Sequence, residues 1–233
     1  TQAVSVWGGE DGSFDTSTGV SSTPEYGKVF ISVKSTTGLN LTTSQKENLE
    51  KDLAPFKVAS ITPVVVNPET TFIILGITFN YNSSATTQSK TDLESSVSTT
   101  ISNFNNNKLK NFNSPFRHSE LTGLIDDTDS SITNNTTTVT MAKFFTPSLT
   151  TSSNYTVSFN NALYNPHSGH NSSGGGVIAS TGFQIDGDTS TEYFFDEDGA
   201  GALRIYSLVS GTRTYFSSAA GTIDYSNGIV HIN

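Results

Sequence analysis

The chain contains no cysteine, one methionine and one tryptophan, and only 14% of its 233 residues are charged. Without cysteine there are no disulfides, no thiolate nucleophile, no iron–sulfur cluster and no zinc–thiolate site. Basic residues are also scarce: 12 Lys and Arg stand against 21 Asp and Glu, for a formal net charge of −9. A nucleic-acid binder offsets phosphate charge with clustered Lys and Arg, and no such cluster exists, so nucleic acid is excluded as a partner. An anionic membrane surface is disfavoured on the same ground. The longest apolar run, Ile73–Ile77 with Gly76 inside it, falls far short of the roughly 20 residues a membrane-spanning helix needs. The sequence starts at Thr1 without Met and without a signal-like apolar stretch, and is expected to be a portion of a longer protein.

What fills the deficit is uncharged and polar: 34 Thr, 34 Ser and 20 Asn. Disorder is not implied, because 15 Phe and 8 Tyr are spread along most of the length. Thr, Phe, Tyr, Val and Ile fit a pleated, half-buried surface, so the bias points to abundant strand.

Residues 1–27 carry little periodicity and read as an extended arm with one short strand, Ala3–Trp7. From Lys28, residues Val29, Ile31 and Val33 alternate with Phe30 and Ser32, a strand with one face fully buried. Thr42/Gln45 and Ser44/Glu47 both have capping-box spacing, Leu49 and Leu53 follow one turn apart, and Pro55 stops the helix. Lys57–Val66 and Thr71–Tyr81 read as a hairpin about Asn67-Pro68-Glu69. A box at Thr91/Glu94 opens a second helix carrying Leu93, Val97, Ile101 and Phe104, then Ser119–Asp127 as a short helix and Thr136–Phe145 as a strand. Strand, helix, strand, strand, helix, strand is the split β-α-β (ferredoxin-like) order, so residues 28–146 are expected to form an α+β domain. Residues 147–233 read as an all-β domain. Its last hairpin, Thr222–Tyr225 with Ile229–Ile232, turns at Asn227-Gly228, a type I′ signal.

Candidate chemistry is thin. Gly174-Gly175-Gly176 lacks the strand, helix and Lys of a phosphate cradle and reads as a turn. His167 and His170 would chelate a metal only on a helix, which Pro166 and the glycines preclude, so a solvated loop is preferred. Asp186, Asp188, Asp196 and Asp198 are the strongest cation candidates, but their spacing departs from the helix–loop–helix calcium template, and Asp-Gly is ordinary turn sequence. Arg117 and His118 are read as a cap and salt bridge opening a helix. No Gly-x-Ser-x-Gly elbow and no coupled nucleophile, base and carboxylate appear, so no catalytic, cofactor or metal residue is assigned and the chain is not expected to be an enzyme.

Two stretches carry a family resemblance. One is Val6-Trp7-Gly8-Gly9-Glu10 with Pro24-Glu25-Tyr26-Gly27-Lys28-Val29-Phe30-Ile31-Ser32-Val33. The other runs from Ile61-Thr62-Pro63 through Phe116-Arg117-His118-Ser119-Glu120-Leu121 to Leu124-Ile125-Asp126-Asp127-Thr128-Asp129-Ser130-Ser131-Ile132. Together, over about residues 4–145, they resemble the baseplate wedge proteins of T-even-like contractile-tailed bacteriophages, and more distantly the baseplate J-like proteins. The resemblance implies the C-terminal portion of a structural subunit of the virion baseplate, assembled in the host cytoplasm. It further implies a two-fold homodimer within a ring, contacts with other wedge and hub proteins, and no catalytic residues. The Thr- and Ser-rich stretch Gly12–Thr23 and the loop Ser152–Gly176 depart from the family pattern. The alternative reading is a glycan-binding surface adhesin or receptor-binding tail protein.

Overall fold

A computed structural model describes residues 4–12, 14–15, 20–21, 24–35, 40–58, 60–147, 153–171 and 176–233. The elements run β1 Val4–Gly8, β2 Phe14–Asp15, β3 Val20–Ser21, β4 Lys28–Val33, α1 Thr43–Leu53, β5 Thr62–Val66 and β6 Phe72–Tyr81. They continue α2 Lys90–Phe104, α3 His118–Asp126, β7 Ile132–Ala142, β8 Tyr155–Ser158 and β9 Phe183–Ile185. Last come β10 Asp188–Glu197, β11 Ala202–Val209, β12 Thr212–Asp224 and β13 Ile229–Ile232. The chain divides into two compact units, Thr1–Ser13 with Thr23–Ala142, and Phe14–Ser22 with Lys143–Asn233.

In the first unit, β4 is the middle strand of a three-stranded sheet ordered β1-β4-β5. β1 pairs antiparallel, Val4 to Val33 through Gly8 to Val29, so the strand read within an extended arm is an edge of this sheet. β5 pairs parallel to β4, which a tight hairpin cannot connect; α1 supplies the crossover. Its start is the expected box: the Gln45 amide donates to Thr42 Oγ1 at 3.3 Å, and the Thr42 amide to Gln45 Oε1 at 2.9 Å. One face of β4 is fully buried, as its alternation predicts. Phe30 and Ser32 are sequestered, whereas Val29, Ile31 and Val33 stay half-buried.

The single four-stranded split β-α-β sheet does not form. Among the described residues β6 pairs only with β7, antiparallel over Phe72–Tyr81, in a separate two-stranded ribbon. The physical reason lies at β5: the Val65 amide donates to Glu50 Oε1 of α1 at 2.7 Å, so the outer side of β5 is occupied where β6 was expected to pair. Pro68, without an N–H, breaks the chain between them.

α2 and α3 pack on one face of the ribbon around Val97, Phe104, Leu121, Ile125 and Ile132, all buried. Fully burying such a side chain contributes about 1.5–3 kcal/mol. The cap of α2 sits two residues earlier than expected, at Ser89: Asp92 N donates to Ser89 Oγ at 3.2 Å and Ser89 N to Asp92 Oδ2 at 3.1 Å. Helical geometry from Lys90 onward places Thr91 inside the first turn, where it cannot cap.

The second unit is an all-β region, with six antiparallel strands ordered β8-β13-β12-β11-β10-β9 and the small β2–β3 hairpin. Val157, Leu203, Ile223 and Val230 form its core, with Phe145, Phe159, Phe195 and Tyr225 packed around them. The terminal hairpin is not type I′. Asp224 pairs with Ile229, leaving a four-residue loop in which Gly228 (φ 67°), not Asn227, takes positive φ. Asp224 accepts from the Asn227 amide at 3.0 Å and builds an Asx-type turn instead.

Candidate functional site

The densest polar constellation lies at the end of β10. Adjacent strand residues point to opposite faces, so Asp196 and Glu197 look into different environments, and both are buried, at 2% and 0% exposure. Asp196 is paired across the ladder with Arg204, whose Nε donates to Oδ1 at 2.9 Å. Its other oxygen accepts from Arg213 Nη1 at 2.9 Å and from the Tyr215 hydroxyl at 3.0 Å. The two guanidiniums lie over rings as well, Arg204 4.5 Å from the Tyr215 centroid and Arg213 4.6 Å from that of Tyr206.

Glu197 gathers segments distant in sequence. Oε1 accepts from His170 Nε2 at 3.1 Å and the Val177 amide at 3.0 Å; Oε2 accepts from the Gly199 amide at 2.7 Å and from the Tyr225 hydroxyl. Its backbone carbonyl takes bonds from Asn171 Nδ2 and Arg204 Nη2. Burial pushes the Glu197 pKa up, but the Tyr225 hydroxyl, the two amides and the His170 charge outweigh it and hold the carboxyl below its ordinary value. Burial, and then the Glu197 charge, raise Tyr225. Every carboxylate oxygen is consumed internally, so the arrangement is a clamp that holds His170, Asn171 and Val177 to the β10–β11 hairpin.

The four expected cation ligands do not converge. Asp186 is exposed in the turn before β10. Asp188 accepts from Ser190 Oγ at 2.8 Å, the Thr191 amide at 3.1 Å and the Tyr193 hydroxyl at 2.9 Å, bonds that depress its pKa strongly. Asp196 is locked between two arginines, and Asp198 Oδ1 caps its own turn through the amides of Ala200 and Ala202 at 2.8 and 2.9 Å. No cluster of three or more His, Asp or Glu with metal-binding spacing occurs among the described residues.

The histidine pair is not solvated as expected: His170 is nearly buried against Glu197, while His167 remains exposed with its ring edge-on to His170. Gly174 and Gly175 lie outside the described residues. Gly176 has a packing role, since a Cβ there would sit 2.4 Å from Glu197 Oε1. Arg117 stands at the start of α3 without a side-chain cap bond; His118 Nε2 instead bonds the Thr137 carbonyl of β7 at 2.9 Å. A depression of about 450 Å³ over β10 and β11 is lined by Thr191, Glu192, Phe194 and Leu208, with Glu192 its one titratable group. No nucleophile and base meet there.

Strand edges and exposed apolar side chains are the remaining functional features. In the first unit Val4 and Val6 of β1, Phe56 and Val58 after α1, and Ile74 of β6 are exposed. The outer side of β5 is engaged by Glu50, and α3 bonds β7 through His118.

Comparison with known proteins finds relatives for residues 1–66 and 69–144. Residues 1–66 match the family model for C-terminal domain I of the baseplate structural protein gp6, and residues 69–144 match that for its C-terminal domain III. The chain belongs to the gp6 baseplate structural family. It is 30% identical over 117 residues to the baseplate wedge protein gp6 of Enterobacteria phage T4, covering 50% of this chain and 18% of that relative. The chain thus spans less than a fifth of the relative's length. The gp6 domain I match coincides with the β1-β4-β5 sheet and α1, and the domain III match with the β6–β7 ribbon, α2 and α3. The boundary between the two gp6 domains falls at Asn67-Pro68, where the expected hairpin fails.

Proposed function

We propose that this chain is a structural subunit of the baseplate wedge of a contractile phage tail, acting through protein–protein contacts during ring assembly and baseplate rearrangement. The observation that supports the reading is the pair of adjoining gp6 domain matches over residues 1–66 and 69–144. The subunit performs no reaction; its buried carboxylates serve internal docking. Its partners are a second copy related by a two-fold axis and neighbouring wedge and hub proteins, and its place is the virion baseplate, after assembly in the host cytoplasm.

Gold-labelled antibody against the 233-residue chain, applied to intact virions, tests the reading by electron microscopy. Label at the baseplate end of the tail is the expected result. Label on the capsid, on fibres, or on no particle at all overturns it.

A further inference from the structure

We infer that the outer edge of β6 is the seam at which two copies of this chain join, β6 against β6 in antiparallel. The inference deepens the two-fold self-association proposed above and rests on it. β6 is ten residues long and its ladder is with β7 alone. From Ile73 to Tyr81 no other backbone-to-backbone bond engages it among the described residues; the Gly76 and Asn80 carbonyls also accept from the Thr138 and Thr133 hydroxyls. Strands that remain at an edge are usually blunted by Lys, Pro or a bulge. Between Phe72 and Asn80 this one has none of these, and its first irregularity is at Tyr81. The packing agrees: Leu75, Ile77, Phe79 and Tyr81 line the helical core yet stay half-buried, whereas Ile132 is 8% exposed. A strand beyond β6 would complete their cover.

Three features point to a second copy as the occupant. The other strand of the ribbon has its Thr137 carbonyl engaged by His118 of α3 at 2.9 Å. β6 is therefore the less obstructed edge, and β6-to-β6 pairing about a two-fold axis consumes that edge in both copies. Second, neither β6 nor β7 carries a charged residue, so like meets like without repulsion although the chain has a net charge of −9. Third, an antiparallel register that keeps both sets of helices on one face passes its axis through a residue. An axis at Gly76 sets Leu75 opposite Ile77 and Ile74 opposite Thr78 of the second copy, joining the two apolar faces.

Sedimentation equilibrium on the 233-residue chain tests the seam. The double variant Ile74→Lys/Thr78→Lys alters only exposed positions and brings four ammonium groups to the seam. Its dimer dissociation constant should rise at least tenfold with circular dichroism and Tm unchanged, while Val4→Lys/Val6→Lys on β1 leaves it unaltered. Because the chain lacks cysteine, Ile74→Cys/Thr78→Cys should cross-link to a covalent dimer under mild oxidation, and Val4→Cys should not. A wild-type dimer that the lysines do not weaken and the cysteines do not trap overturns the seam but leaves self-association standing. A wild-type chain that stays monomeric at every concentration overturns self-association itself.

Discussion

The carboxylate of Glu50, on α1, accepts the backbone N–H of Val65, on β5, at 2.7 Å. A helix side chain thereby occupies the strand edge that a further β-strand would use, and the division of the first unit into two sheets follows from it. Glu50 does for β5 what Lys or Pro does for other exposed edges.

Glu50→Ala therefore has two expected consequences. Loss of a charge-assisted bond to a half-buried amide lowers stability by about 1–2 kcal/mol. The unprotected β5 edge raises the tendency to associate, seen as concentration-dependent light scattering after heating. Glu50→Gln, which retains an acceptor, should recover most of both; a Gln variant as impaired as the Ala variant counts against the edge-capping role.

Glu197 predicts a pH dependence. Its folded-state pKa is depressed below the ordinary 4.5, so its stabilisation is fully present above that value and is lost as pH falls through the lower folded value. Denaturant titrations of wild type and Glu197→Gln from pH 7 to pH 3 should converge toward the acid end. At neutral pH the variant leaves a buried polar cluster incompletely paired, at a cost of about 3 kcal/mol. A constant gap across the pH range would remove the charge from the explanation.

Gly228 closes the β12–β13 turn at φ 67°, and a Cβ there would lie 1.9 Å from the Asn161 carbonyl oxygen. Gly228→Ala combines positive-φ strain with a backbone clash that must be relieved by moving the loop, so destabilisation of about 2–4 kcal/mol is expected. Gly211→Ala, with φ 80° but open space around it, isolates the strain alone and should cost about 1 kcal/mol. Equal losses in the two variants would show that the close approach to Asn161 is unimportant.

Local signals in the sequence translated well. The Thr42 box, Pro55, the Leu93, Val97 and Phe104 stripe and the strand-rich C-terminal region are each set by neighbours within a few residues, and each appears. Pairing was harder to read. Whether β5 turns back to β6 depends on Glu50, fifteen residues from its Val65 partner, and alternation along β4 could not say which face would be buried. The Glu197 clamp joins His170, Val177, Gly199 and Tyr225 from separate segments. Its one sequence trace is an adjacent Asp196-Glu197 pair at the end of the aromatic strand Tyr193-Phe194-Phe195, where charge is costly unless satisfied.

The register of the C-terminal sheet sets an order of events during synthesis. β8 lies against β13, Tyr155 opposite Ile232, so its first residue waits for a partner 77 positions later. Until residues 229–232 emerge from the ribosome, the strand lacks its ladder partner, and closure of so long a loop favours slow, late consolidation. The N-terminal ribbon and its helices, complete by Ala142, are free to fold while that wait continues.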